Sequence, residues 1–317
     1  MNAHDTTAPT DRELVVSRVI NAPVARVWRA WTDPAEVAKW WGPYGFVTDT
    51  SERDFRAGGT WRHTMVGPDG KEYPNLARFE EIVPHERIVL TNGGGDGDGQ
   101  GVHFRSTVTF KDLGGKTEIT MRLVFDTAVM RETAATKFGA IEGGRQTLSR
   151  LAALVQNEFV ISRLVSAPRA RVWQAWTNPT ELAAWFGPKG FETIRANLDF
   201  RVGGTYHYGI TGSGVTMWGK WVFEEIDPPA RLRVLQSFSD EQGGLGRHPL
   251  APTWPAQMKT TIELQDFGDR TLVTILWSPF DATDAERQTF ADGMSSMSQG
   301  WAGTFERLES HLKDSGR

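Results

Sequence analysis

The chain repeats itself, and the length of the repeat restricts its fold more than any other feature. Residues 18–34 read RVINAPVARVWRAWTDP, and residues 163–179 read RLVSAPRARVWQAWTNP, an offset of 145. The same offset carries Trp40-Trp41-Gly42-Pro43 onto Trp185-Phe186-Gly187-Pro188. It also carries Asp54-Phe55-Arg56 and Gly58-Gly59-Thr60 onto Asp199-Phe200-Arg201 and Gly203-Gly204-Thr205. FEEI at 79–82 returns at 223–226 with an offset of 144, and Thr107 to Thr120 returns at Thr261 to Thr274 with an offset of 154. The second copy therefore holds about ten extra residues, the Pro-rich RHPLAPTWPAQ at 247–257. A period this long is no solenoid repeat but a duplicated domain. The 317 residues agree with that, at ~150 per domain. The expected division is a polar, disordered tail at 1–12, a first domain at 13–156 and a second at 157–313.

Composition excludes several function classes. The 35 Lys+Arg and 39 Asp+Glu give a net charge of −4 with no basic cluster, which disfavours nucleic acid as a partner. Cysteine is absent, so disulfides, thiolate metal sites and thiol nucleophiles are excluded. No apolar run reaches the ~18 residues of a membrane span, and the polar start is unlike a secretory signal. A cytoplasmic protein without membrane insertion is the expectation. The 13 tryptophans suit a large core or a roomy apolar pocket.

The local pattern is the same in both copies. A short strand at 13–20 ends at Asn21-Ala22-Pro23, and proline suits the first helical turn. Val24, Val27, Trp28 and Trp31 follow at helical spacing, Pro34 opens a second short helix, and Gly42-Pro43 stops it. Period-2 segments at 46–54, 60–66, 75–82, 87–91, 102–110 and 117–125 are separated by Gly- and Pro-rich turns. A long helical pattern closes each copy: Phe138, Ile141, Arg145, Leu148, Ala152 and Val155 in the first, Phe290, Met294, Met297, Trp301, Phe305 and Leu308 in the second. This predicts an α+β fold, with a curved antiparallel sheet of about six or seven strands and one long C-terminal helix laid across it.

Five blocks carry a family resemblance: APxxxVWxAWTxP (22–34, 167–179), WWGPxGF and WFGPKGF (40–46, 185–191), DFRxGGT (54–60, 199–205), FEEIxPxxR (79–87, 223–231) and the closing helix. Both copies resemble the SRPBCC superfamily of START/Bet v-like helix-grip domains, and within it the heat-shock-protein-90 ATPase activator homologues. The resemblance implies a cavity between sheet and long helix that binds a hydrophobic small molecule. The expected function is therefore non-catalytic binding of a hydrophobic or aromatic molecule. The alternatives are a co-chaperone role with a chaperone or other protein partner, or an enzyme or self-resistance protein acting on a hydrophobic metabolite. Fold alone does not decide among them.

Candidate ligand-binding residues follow from the strand faces and the helix stripe. In the first copy, Trp61, His63 and Met65 share one face of a strand, and Trp41 stands in the WWGP block. Phe138 and Arg145 come from the helical stripe. Arg145 either grips an acidic ligand group or reaches to solvent or a carboxylate, because an unpaired buried charge is costly. In the second copy the candidates are Phe186, Tyr206, Tyr208, Trp218, Met294, Met297 and Trp301. Each cavity is expected to measure roughly 300–1,000 Å³, the first more polar and the second aromatic and Met-lined. The seven histidines show no metal-ligand spacing, and no nucleophile elbow or phosphate loop occurs. No catalytic residue, metal or cofactor is assigned. The loop at 92–101, NGGGDGDGQG, lacks the glutamate that would end a calcium loop and reads as a hairpin connection. Glu80-Glu81 and Glu224-Glu225 recur and are the remaining acid–base candidates.

Overall fold

Pro23, with its fixed backbone angle, starts α1 (Val24–Thr32) directly after β1 (Glu13–Ile20). Asp33 then caps α2 (Pro34–Trp40) by accepting from the Ala35 amide, with Pro34 in the first helical position. The structure is a computed structural model that describes residues 10–94 and 103–314. The first nine residues of the expected tail and most of the 92–101 loop lie outside the described residues. Residues 10–12 form the turn that leads into β1.

Six further strands complete the first sheet: β2 (Val47–Arg53), β3 (Thr60–Val66), β4 (Glu72–Val83), β5 (Arg87–Gly94), β6 (Phe104–Asp112) and β7 (Thr117–Phe125). All neighbours are antiparallel, in the order β1-β7-β6-β5-β4-β3-β2. Two helices follow, α3 (Ala128–Thr136) and α4 (Ala140–Gln156). After a division at Gln156 the pattern recurs. It runs through β8 (Phe159–Val165), α5 (Arg169–Thr177), α6 (Pro179–Trp185), β9 (Glu192–Leu198) and β10 (Thr205–Gly212). It continues with β11 (Val215–Asp227), β12 (Arg231–Ser239), β13 (Gln257–Phe267), β14 (Arg270–Phe280), α7 (Asp284–Asp292) and α8 (Met294–Asp314). The second sheet has the equivalent order, β8-β14-β13-β12-β11-β10-β9. The chain is thus two tandem α+β domains of the helix-grip type, each a seven-stranded antiparallel sheet on a long C-terminal helix.

Each core lies between sheet and helices. Trp31, Trp40, Trp61 and Phe79 are fully buried in the first, and Trp176, Trp185, Trp221 and Phe223 in the second. Trp40 and Trp185 donate from Nε1 to the carbonyls of Ala30 and Ala175, which ties the two short helices together in each domain.

The helical stripe differs from the sequence expectation at its start. Gly139, at φ 59°, breaks the chain between α3 and α4, so Phe138 belongs to neither helix and is 54% exposed. In the second domain Gly293 ends α7, which places Phe290 on that shorter helix rather than on α8. The start of α7 is a capping box in which Thr283 and Glu286 bond each other's backbone. Among the described residues, no helix is long and apolar enough to cross a membrane.

Candidate functional site

The turn after α6 brings the first wall of the site into place. Gly187 adopts φ 118°, in the left-handed region, and the chain reverses so that Phe186 faces inward. Arg307, on α8, holds this turn. Its guanidinium donates to the carbonyls of Gly187 (3.3 Å), Pro188 (3.0 Å), Phe191 (2.9 Å) and Ala184 (3.2 Å). Arg150 does the same in the first domain, donating to Gly42 (3.0 Å), Pro43 (2.9 Å), Phe46 (3.0 Å) and Lys39 (3.0 Å). Burial pushes the Arg150 guanidinium down to about 10 and lowers Arg307 as well. The two arginines stand 157 residues apart in the sequence, a shared feature the sequence reading passed over.

A cavity of about 510 Å³ lies behind the turn in the second domain. Phe186, Tyr208, Trp218, Met297 and Trp301, all expected from the sequence, line it. Tyr206 stands behind, stacked on Tyr208 at 5.0 Å, and Met294 packs against the core. The Trp218 ring lies across Gly209, and the Arg195 guanidinium stands 4.7 Å from its centroid.

The sequence reading missed much of the remaining wall. Met258 and Trp277 come from β13 and β14, and Gln236 from the middle of β12. The inserted segment between β12 and β13 adds His248, Ala251 and Trp254. Trp254 packs on Phe290 at 5.4 Å, Thr289 donates to Thr253 (3.0 Å), and Arg247 pairs with the Glu286 carboxylate of the capping box. The Arg247 hydrogen bond, followed by the Thr283 amide, holds the Glu286 carboxyl below its ordinary value. The extra length visible in the sequence is therefore one wall of the cavity, latched to α7.

None of the described lining residues carries a fixed charge. His248 is the one titratable base among them, and burial lowers its pKa. Its Nδ1 accepts from the Leu250 amide (3.0 Å). Burial also raises the Tyr208 phenol, which stays protonated. The arrangement can hold an uncharged apolar molecule and orient it with a few polar groups.

In the first domain the equivalent side chains pack on one another. Trp61 stacks on His63 at 4.2 Å, and Trp41 lies 4.8 Å from Trp61 and donates from Nε1 to His63 Nε2 (3.2 Å). Met65 is half-buried beside Gly42. His63 is 3% exposed, and its pKa is pushed down to about 4 by burial and by the Arg53 charge. Gly144 of α4 approaches β1 so closely that a Cβ there would stand 3.1 Å from Val16. The next residue, Arg145, is turned outward. Its side chain is 67% exposed and lies 3.7 Å from Glu142. Arg145 therefore supplies no charge to an interior, because Gly144 is the residue that faces β1, and Phe138 is a surface residue because it lies before the Gly139 break.

The paired glutamates are engaged at the surface. Glu80 meets Arg105 (2.7 Å), Glu81 meets Arg87 (2.6 Å) and Glu225 meets Arg231 (2.6 Å), at bulges after Phe79 and Phe223. Among the described residues no group of three or more metal-ligating side chains comes together.

A family model described as activator of Hsp90 ATPase homolog 1-like protein matches residues 21–156 and 166–313. No curated protein matches the chain. Similar solved structures include a protein from Chromobacterium violaceum, 31% identical over 46% of this chain and 98% of its own, with a TM-score of 0.41. A protein from Nitrosomonas europaea is 24% identical over 47% of this chain and 97% of its own, with a TM-score of 0.43. The di-domain ARO/CYC BexL of the BE-7585A biosynthetic pathway is 14% identical and covers 95% of this chain and 98% of its own, with a TM-score of 0.36.

Proposed function

From a chain that belongs to the activator of Hsp90 ATPase homolog 1-like family, we propose that its second domain binds an uncharged hydrophobic or aromatic small molecule, without catalysis. The observation that carries this reading is the 510 Å³ cavity, walled by Phe186, Trp254, Trp277, Met297 and Trp301 and free of fixed charge at its described lining. That volume falls within the roughly 300–1,000 Å³ of ordinary ligand pockets. Methionine and flat aromatic rings adapt to irregular apolar shapes. In the first domain the equivalent side chains Trp41, Trp61 and His63 pack on one another, so this reading is placed on the second domain. A cytoplasmic location and a small-molecule rather than macromolecular partner belong to the same reading.

Mass spectrometry of small molecules released on denaturing the purified full-length protein tests it. A hydrophobic compound recovered in stoichiometric amount, and absent from a protein whose cavity is filled by substitution, is the expected result. Equal recovery from both proteins contradicts the cavity assignment.

A further inference from the structure

The polar side chains that line this cavity are Tyr208, Gln236, His248, Thr289, Ser296 and Thr304, hydroxyls apart from two N–H donors, Gln236 and His248. Gln236 is 9% exposed and lines the cavity from the middle of β12. Its Oε1 accepts from the Thr260 hydroxyl (3.1 Å). The amide therefore has its Nε2 hydrogens left to offer. His248 accepts at Nδ1 from the Leu250 amide, which in the neutral ring leaves the proton on Nε2. Tyr208 presents a phenol O–H. Three donors thus come from three separate elements, β10, β12 and the inserted segment. The Gly187 carbonyl, one lining acceptor, already receives Arg307 and Thr304.

A donor-rich apolar cavity selects by what it leaves unpaired. A pure hydrocarbon fills the volume but strands the buried amide hydrogens, which costs affinity. A ligand oxygen can accept from Gln236 and His248, whereas an ammonium group finds no carboxylate among the described lining residues. We infer that the natural ligand of this cavity is an uncharged apolar molecule bearing carbonyl-type oxygens, with Gln236 and Tyr208 as its specificity-determining residues. The inference rests on the cavity-binding reading above and narrows it to one chemical class. In the first domain the equivalent positions are Asn92 and His63, and there the His63 ring packs between Trp41 and Trp61 and accepts from Trp41.

The test uses fluorene and 9-fluorenone, which share a flat tricyclic frame and differ by one carbonyl oxygen. Both are titrated into the full-length protein with tryptophan fluorescence as the readout. Fluorenone is expected to bind roughly tenfold more tightly, the factor one net hydrogen bond supplies. Gln236→Met and Tyr208→Phe each remove a donor with little change in volume. Each is expected to cut the fluorenone preference several-fold, Gln236→Met partly by tightening fluorene, since no amide is then stranded. Equal affinity for both probes in the unmodified protein, or a preference that survives in both variants, overturns the donor assignment alone. Failure of both probes to bind overturns the cavity reading, and this inference with it.

Discussion

Tyr208 lies across Gly219 on the neighbouring strand so closely that a Cβ at Gly219 would stand 2.3 Å from the ring's Cζ. The missing side chain lets the phenol lie flat against β11 instead of filling the space beneath α8. The first domain has Asn75 opposite His63 at the equivalent pair. One glycine thus sets how Tyr208 lies along this wall of the cavity.

Gly219→Ala should push the Tyr208 ring into the cavity. Overpacking of this kind costs about 1–3 kcal/mol. The expected outcome is weaker binding of a neutral aromatic probe together with a lower Tm. Unchanged affinity by fluorescence titration would show that Tyr208 does not set the cavity's shape.

Arg150 and Arg307 each satisfy four carbonyls of an inward turn. Arg307→Met leaves those carbonyls short of donors at about 1.5–3 kcal/mol and frees Phe186 from its position. Arg307→Lys should recover little, because an ammonium cannot span the fork. Denaturant unfolding followed by tryptophan fluorescence checks both, and Arg150→Met should show an equivalent loss.

His63 makes the first domain sensitive to acid. Its folded pKa near 4 lies below the ordinary 6.5, so the unfolded chain takes up the proton first. Stability is full above about pH 6.5 and falls as pH drops towards 4, by on the order of 2–3 kcal/mol. His63→Phe should flatten the pH dependence of unfolding across that window. A slope unchanged by the substitution would assign it to other groups.

Arg145→Met should leave stability within about 0.5 kcal/mol, as for other exposed sites, and leave neutral and carboxylated probes bound as before. A changed preference for the carboxylated probe would return the arginine to the binding site.

The sequence made the sheets legible because their signals are local. Alternating segments, the Pro23 and Pro34 helix starts and the Gly42 stop each act within a few residues, and the repeat shows them twice. The helix stripe was misread where a single glycine decides. Gly139 restarts the helix, Gly144 meets Val16, and Arg145 rotates outward. Two local signals were passed over, the Thr283-x-x-Glu286 capping box and the recurrence of Arg150 as Arg307 in the closing helices. The cavity was only half legible, since its wall depends on Arg247 finding Glu286 and Trp254 finding Phe290, contacts between distant segments. Nothing local marks Gln236 as a lining residue.

Gly300 offers the most direct test of cavity binding. It lines the cavity on α8, and a Cβ there meets nothing within 4 Å. Gly300 is exposed, so Gly300→Trp should set an indole across the open side of the cavity without a clash at the backbone, and replacing an interior helix glycine favours the helix. Titration of 9-fluorenone into the full-length Gly300→Trp protein, with Tm measured alongside, separates binding from folding. If the ligand sits in this cavity, binding is weakened or lost with Tm unchanged or raised. Binding as tight as in the unmodified protein would contradict that placement.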